Sequence, residues 1–61
     1  MDPLPTFTAL DWRMLAGACE TIAEKERARA AAIGGRAAAD YLNSAQEYER
    51  LAARCMRMAV E

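Results

Sequence analysis

A chain of 61 residues with a net charge of −1 has room for one domain and too little length for a large core. It can bury only about 60% of the surface its unfolded form exposes, so a solitary fold is marginal and a disulfide, a metal or a partner subunit is expected to help. The charge balance gives no electrostatic reason to expect nucleic acid, and no apolar run approaches the ~18 residues of a membrane span.

Metal and cofactor are poorly provided for. There is no histidine, and Cys19 and Cys55 stand far apart with no second pair, so no ligand spacing is present. The opening residues Met1-Asp2-Pro3-Leu4-Pro5 lack the basic start and apolar stretch of a secretory signal, which places the expected location in the cytoplasm.

In chain order, residues 1–7 read as an extended arm, because Pro3 and Pro5 fix φ and disfavour helix at the residue before each. A first helix is predicted over residues 8–33. Thr8 and Asp11 have the spacing of a capping box, and Phe7 and Trp12 stand where a hydrophobic staple would bracket it. Leu10, Met14, Leu15, Ala18, Cys19 and Ile22 read as its apolar stripe. Glu24-Lys25-Glu26-Arg27 then wraps charge around a whole turn, and apolar contact is expected to resume at Ala28, Ala31, Ala32 and Ile33. The charged turn reads as a solvated face with local ion pairs.

Gly34-Gly35 is the natural stop, since glycine takes a left-handed conformation without a Cβ penalty. Residues 36–60 follow as a second helix. Gly34, Ala38, Tyr41, Ala45, Tyr48, Ala52, Cys55 and Ala59 alternate at spacings of four and three, one unbroken seam. Asp40, Asn43, Glu47, Arg50, Arg54, Arg57 and Glu61 form an equally regular polar face. A break at Asn43-Ser44, which would make three helices, is the competing reading, because Ser44 and Glu47 also fit a capping box.

The expected fold is therefore all-α: an antiparallel two-helix hairpin of helices about 25 residues long, hence ~37 Å. The second helix's seam is rich in alanine and buries little area, so a second copy is expected to complete a four-helix bundle. With the reversal centred on the glycines, facing positions sum to about 69. Cys19 and Cys55 are then offset by about five residues, ~7 Å along the axis, and are read as reduced, buried small hydrophobes.

The same arithmetic gathers Phe7, Leu10, Trp12 and Met14 with Cys55, Met56, Met58 and Val60 at the open end. Such a cluster can simply close the bundle core. A methionine-rich surface with a tryptophan anchor also suits protein binding, and Met56 and Met58, two apart on a helix, cannot both face one seam. Phe7, Leu10, Trp12, Met14, Met56 and Met58 are thus the partner-binding candidates, with the stripe Arg50, Arg54 and Arg57 second.

Catalysis is not expected. No histidine can act as general base, neither cysteine has a basic neighbour to lower its pKa, and serine occurs once, as Ser44. A helix-turn-helix reader of DNA would have shorter helices and a more basic recognition helix; here Glu47 and Glu61 flank the arginines and Glu49 is nearby. The same face lacks the cationic excess of a membrane-surface helix.

What remains is an interaction protein. With its Thr-Ala-Leu-Asp-Trp-Arg helix start at residue 8, its Ala/Arg/Glu-rich hairpin and its lack of catalytic residues, the chain resembles the small inhibitors that bacteriophages express early to disarm host proteins. The anti-quorum-sensing type of Pseudomonas phages is the particular likeness. Fifteen alanines, and seven arginines against the single Lys25, fit a GC-rich bacterial or phage gene. The resemblance covers the architecture and residues 8–15 and carries over no functional residue. It implies binding to a quorum-sensing transcription regulator, and in some members to a pilus assembly ATPase. A structural subunit of a larger helical assembly is the alternative, and a small DNA-binding regulator is the third.

Overall fold

The computed structural model describes residues 6–60 and is helical, with no strand among them. Helix α1 runs Ala9–Ile33 and helix α2 Gly35–Val60, folded back on each other as a hairpin. The expected arm at residues 1–7 lies mostly outside the described residues; Thr6, Phe7 and Thr8 precede the first helical turn.

The start of α1 is fixed by local chemistry. The Asp11 N–H donates to Thr8 Oγ1 at 3.2 Å while the Thr8 N–H donates to Asp11 Oδ2 at 2.9 Å, a reciprocal capping box. Phe7 and Trp12 stack across it with ring centroids 4.9 Å apart, the staple that sets the entry angle of the chain. At the other end the Gly34 N–H donates to the Ala30 carbonyl at 2.9 Å. Gly34 then turns with φ 66° and ψ −177°, a region essentially confined to glycine, and Gly35 opens α2 with φ 64°. One residue in that region plus a second at positive φ is all the chain needs to reverse. Past this turn α2 is continuous through Asn43-Ser44, so the two-helix reading holds.

Alanine and cysteine make the core. The buried residues are Ala16, Cys19, Ala23 and Ala30 on α1 against Ala45, Ala52, Cys55 and Ala59 on α2. Trp12 and Tyr48 pack against the cluster formed by Ala16, Cys19, Ala52 and Cys55. These positions follow a three-and-four alternation on both helices, the seam of a coiled coil, with methyl groups where leucines usually stand. Small side chains let the axes approach closely, and the hairpin is a thin slab of 49 × 26 × 13 Å.

The seam of α2 is the one its spacing predicts. That of α1 is not. Leu10, Met14, Leu15 and Ile22, expected inside, are exposed, and Ala16, Ala23 and Ala30 take their place. The half-buried Glu26 falls on the same row, so the charged turn does not interrupt the seam but lies partly along it. Turning this other face inward also moves the register. Ala16 and Cys19 cluster with Cys55 and Ala52, so facing positions sum to about 71. The offset between Cys19 and Cys55 consequently falls from about five residues to about three, they share one cluster, and both are free thiols.

The charged turn makes one contact across the hairpin and one within its helix. Arg27 pairs with Glu49 of α2, and Arg29 with Glu26 one turn back at 3.5 Å. Exposed pairs of this kind contribute about 0–1 kcal/mol each.

Candidate functional site

With the methyl seam closed, the larger apolar side chains have nowhere to go but outward. Phe7, Leu10, Met14, Leu15, Ile22, Ile33, Leu42, Leu51, Met56, Met58 and Val60 all remain substantially exposed. A helix advances about 100° per residue, so their distribution round each helix can be worked out. On α1, Leu15, Ala18 and Ile22 form a row along one side of the seam, while Glu20, Glu24 and Arg27 line the other side. On α2, Leu51 and Met58 lie two turns apart on one side, with Leu42, Glu49, Ala53 and Met56 on the other.

Two grooves tie these rows together. Glu20, Ala23, Glu24 and Arg27 border one groove with Glu49, Ala52 and Ala53, on the side bridged by the Arg27–Glu49 pair. That side is ionic. The opposite side therefore carries the Leu15–Ile22 row of α1 beside the Leu51–Met58 row of α2. There Trp12, Leu51, Arg54, Cys55, Arg57 and Met58 line a second groove. Toward the open end Phe7, Met14 and Leu15 border a further shallow depression with Thr6 and Asp11. Toward the middle, Tyr48 and Leu51 border another with Glu47, Arg50 and Arg54. The hairpin thus carries exposed apolar side chains on both flanks of the seam, with charged residues among them on each.

Of the sequence-predicted partner residues, Phe7, Trp12 and Met58 come together at the open end of the hairpin, and Met14 flanks them. Trp12 is half-buried and packs on the core cluster, part anchor and part lining. Met56 lies across the seam from Met58, and Leu10 lies on the outer side of α1, so neither joins that patch. Of the arginines, Arg50 pairs with Glu47 at 2.9 Å, and Arg54 and Arg57 line the groove with Trp12 and Met58. Sequence reasoning missed Ile22 and Leu51 as surface residues. Ile22 and Leu15 were assigned inward because they are large. The signal that could have placed them is the row Ala16, Cys19, Ala23, Ala30, whose spacing matches the alanine seam of α2 better than the leucine row does.

Cys19 is no activated nucleophile. Burial pushes the Cys19 thiol above its ordinary value, and the neighbouring Cys55 adds to the rise. A thiol shifted this way stays protonated at neutral pH and behaves as a small hydrophobe. Among the described residues no group of histidine, cysteine or carboxylate side chains is arranged to hold a metal ion. Among the described residues no helix is long and apolar enough to cross a membrane.

Compared with protein-family models, with curated proteins and with solved structures, the chain matches none of them.

Proposed function

We propose that this chain is a non-enzymatic protein-binding module that acts in the cytoplasm as a homodimer, inhibiting or adapting another protein. The observation that carries the reading is the inverted distribution of apolar side chains: methyl groups and thiols inside, leucine, isoleucine, methionine and phenylalanine outside. Large contiguous apolar surface on a small domain marks a place where another protein sits. Its resemblance to early phage inhibitors makes a host regulator, such as a quorum-sensing transcription factor, or a pilus ATPase the target class.

Affinity capture from a host lysate, followed by mass spectrometry and direct titration with the purified candidate, tests this. Saturable one-to-one binding of a regulator or ATPase supports inhibition. Stoichiometric recovery of several subunits of one assembly would replace it with the structural alternative, which the same exposed apolar residues favour. DNA binding that weakens steeply with salt would replace it with the regulator reading, which has less behind it because Glu47 already pairs with Arg50.

A further inference from the structure

We infer that the groove between Trp12 and Met58 docks an acidic amphipathic helix of another protein, its carboxylates meeting Arg54 and Arg57 and its apolar side chains meeting Trp12, Leu51 and Met58. The inference rests on the protein-binding reading above and deepens it by naming the partner's chemistry.

Charge is the first argument. Two arginines and no carboxylate line this groove. Its continuation along α2 shares Leu51 and Arg54 and adds Glu47 and Arg50, which already pair with each other. A single trough therefore carries three arginines against one glutamate. The groove on the other flank has the reverse balance, Glu20, Glu24 and Glu49 against an Arg27 that is paired with Glu49. Among the described residues neither Arg54 nor Arg57 has a carboxylate within ion-pair reach, whereas Arg27, Arg29 and Arg50 each have one. The complement that the trough lacks is anionic.

The surroundings of those arginines are the second argument. Trp12 packs on the core cluster and gives the groove a fixed aromatic wall, while the exposed Met58 can adapt to what lies against it. A carboxylate set down between such walls loses part of its water. Its paired, charge-assisted contact with a guanidinium is then stronger and less screened than on an open surface. Apolar contact supplies affinity, and the arginines select the sign of the partner.

Shape is the third. The groove encloses about 600 Å³ and lies open to solvent. From Tyr48 to Met58 the trough runs ~15 Å along α2, the length of about three helical turns. Arg54 and Arg57 stand ~4.5 Å apart along the axis, the rise between carboxylates three residues apart on a helix laid alongside. Nucleic acid fits less well. The chain is net −1, and the aromatic ring available for stacking is half-buried against the core.

Trp12 is the chain's single tryptophan, so its fluorescence reports on the groove itself. The probes are capped helical peptides of about 18 residues, long enough to hold a helix. One carries a leucine row flanked by glutamates, and a second is identical except for glutamine at every glutamate. The acidic peptide should shift Trp12 emission and bind at least about tenfold more tightly at low salt, an advantage that 0.5 M salt removes. Replacing both arginines, Arg54→Gln with Arg57→Gln, should erase the advantage and leave the glutamine peptide's affinity unchanged, whereas Arg36→Gln at the far end of α2 changes neither. The comparison between peptides needs no variant, so a misfolded double variant does not spoil it. Equal affinity for the two peptides, or no binding of either, overturns the proposal. Tighter binding of oligothymidylate than of the acidic peptide overturns it in favour of nucleic acid. Dissociation of a homodimer by the double substitution, read by sedimentation, overturns it by placing a second copy in the groove. A captured target whose affinity the folded double variant keeps also overturns it, and leaves the protein-binding reading standing.

Discussion

The two helices share one seam yet distribute their apolar residues in opposite ways. In α2 they gather: alanines, Cys55 and two tyrosines on the inner face, Asp40, Asn43, Glu47 and the arginines on the outer, so the helix is strongly amphipathic. In α1 they spread around the whole circumference, and the helix has almost no net apolar side. An amphipathic helix with one polar face needs one neighbour. A helix with large apolar residues on several sides needs more than one. α2 meets water along its outer polar face and exposes Leu42, Leu51, Met56, Met58 and Val60 on its flanks, whereas α1 presents Ile22 and Leu15 beside the seam and Leu10 and Met14 beyond it. Side-chain size sorts with distance to the neighbour: methyls face the closely packed partner within the hairpin, and longer side chains stand where a second layer, farther away, would meet them.

The sharpest probe of that contrast is Trp12, the large side chain that α1 sends toward the seam, against Phe7, which caps it from outside. Trp12→Ala should lower the unfolding free energy by about 3 kcal/mol, toward the lower end for a core aromatic because the ring is half-buried. Phe7→Ala should cost half of that or less. Equal losses in chemical denaturation would mean that the staple, and not the seam, anchors the open end.

Next in size is the close approach of the helices. Ala23 is 1% exposed in the seam, whereas Ala53 on α2 is exposed. Ala23→Leu forces extra methylenes into a packed interface and should destabilise by about 1–3 kcal/mol. Ala53→Leu should stay within about 0.5 kcal/mol. If both were neutral, the helices would not be held at alanine distance, and the exposed leucines of α1 would have room to turn inward.

A smaller effect separates the helix starts. The side chain of Thr8 caps α1, while α2 begins directly from the glycine turn. Thr8→Ala should cost about 1 kcal/mol and Ser44→Ala, mid-helix, close to nothing, as read from thermal unfolding with a fitted enthalpy. A sizeable loss at Ser44 would indicate a break in α2.

Much of this architecture was legible because it rests on local chemistry. The capping box at Thr8 and Asp11, the staple at Phe7 and Trp12, the stop at Gly34-Gly35 and the alternating seam of α2 each need a few neighbouring residues and no knowledge of the rest. The face of α1 was not legible by the same means. Hydrophobicity ranks Leu15 and Ile22 above Ala16 and Ala23, so a search for the most apolar stripe rotates the helix by about one residue. What decides instead is steric: the α2 seam is alanine, two such surfaces fit only if both are small, and Glu26 can share the seam row because it is half-buried and paired with Arg29. The candidate surface inherited that error. Its tryptophan and Met58 were named from the sequence, while Ile22 and Leu51 became visible only once the rotation of α1 was known.

The smallest expected effect belongs to the residue on which the two helices most nearly agree, Cys19, packed against Cys55. Both thiols are free, so the thermal midpoint at pH 7 should be the same with and without reductant. Titration distinguishes the folded from the unfolded chain. Burial, reinforced by Cys55, raises the folded-state pKa of Cys19 above its ordinary 9.0. The unfolded chain therefore loses that proton first as pH rises, and it binds fewer protons than the folded chain in the window above 9.0. The contribution is fully present below the ordinary thiol range and is lost progressively as pH climbs through the folded value. Urea midpoints measured from pH 7 to pH 10.5 should accordingly fall more steeply for the unaltered chain than for Cys19→Ala, which keeps a small apolar group in the seam. The difference between the two curves is the quantity to read. Parallel curves would place the Cys19 sulfur in water, and the seam of α1 would have to be drawn through other residues.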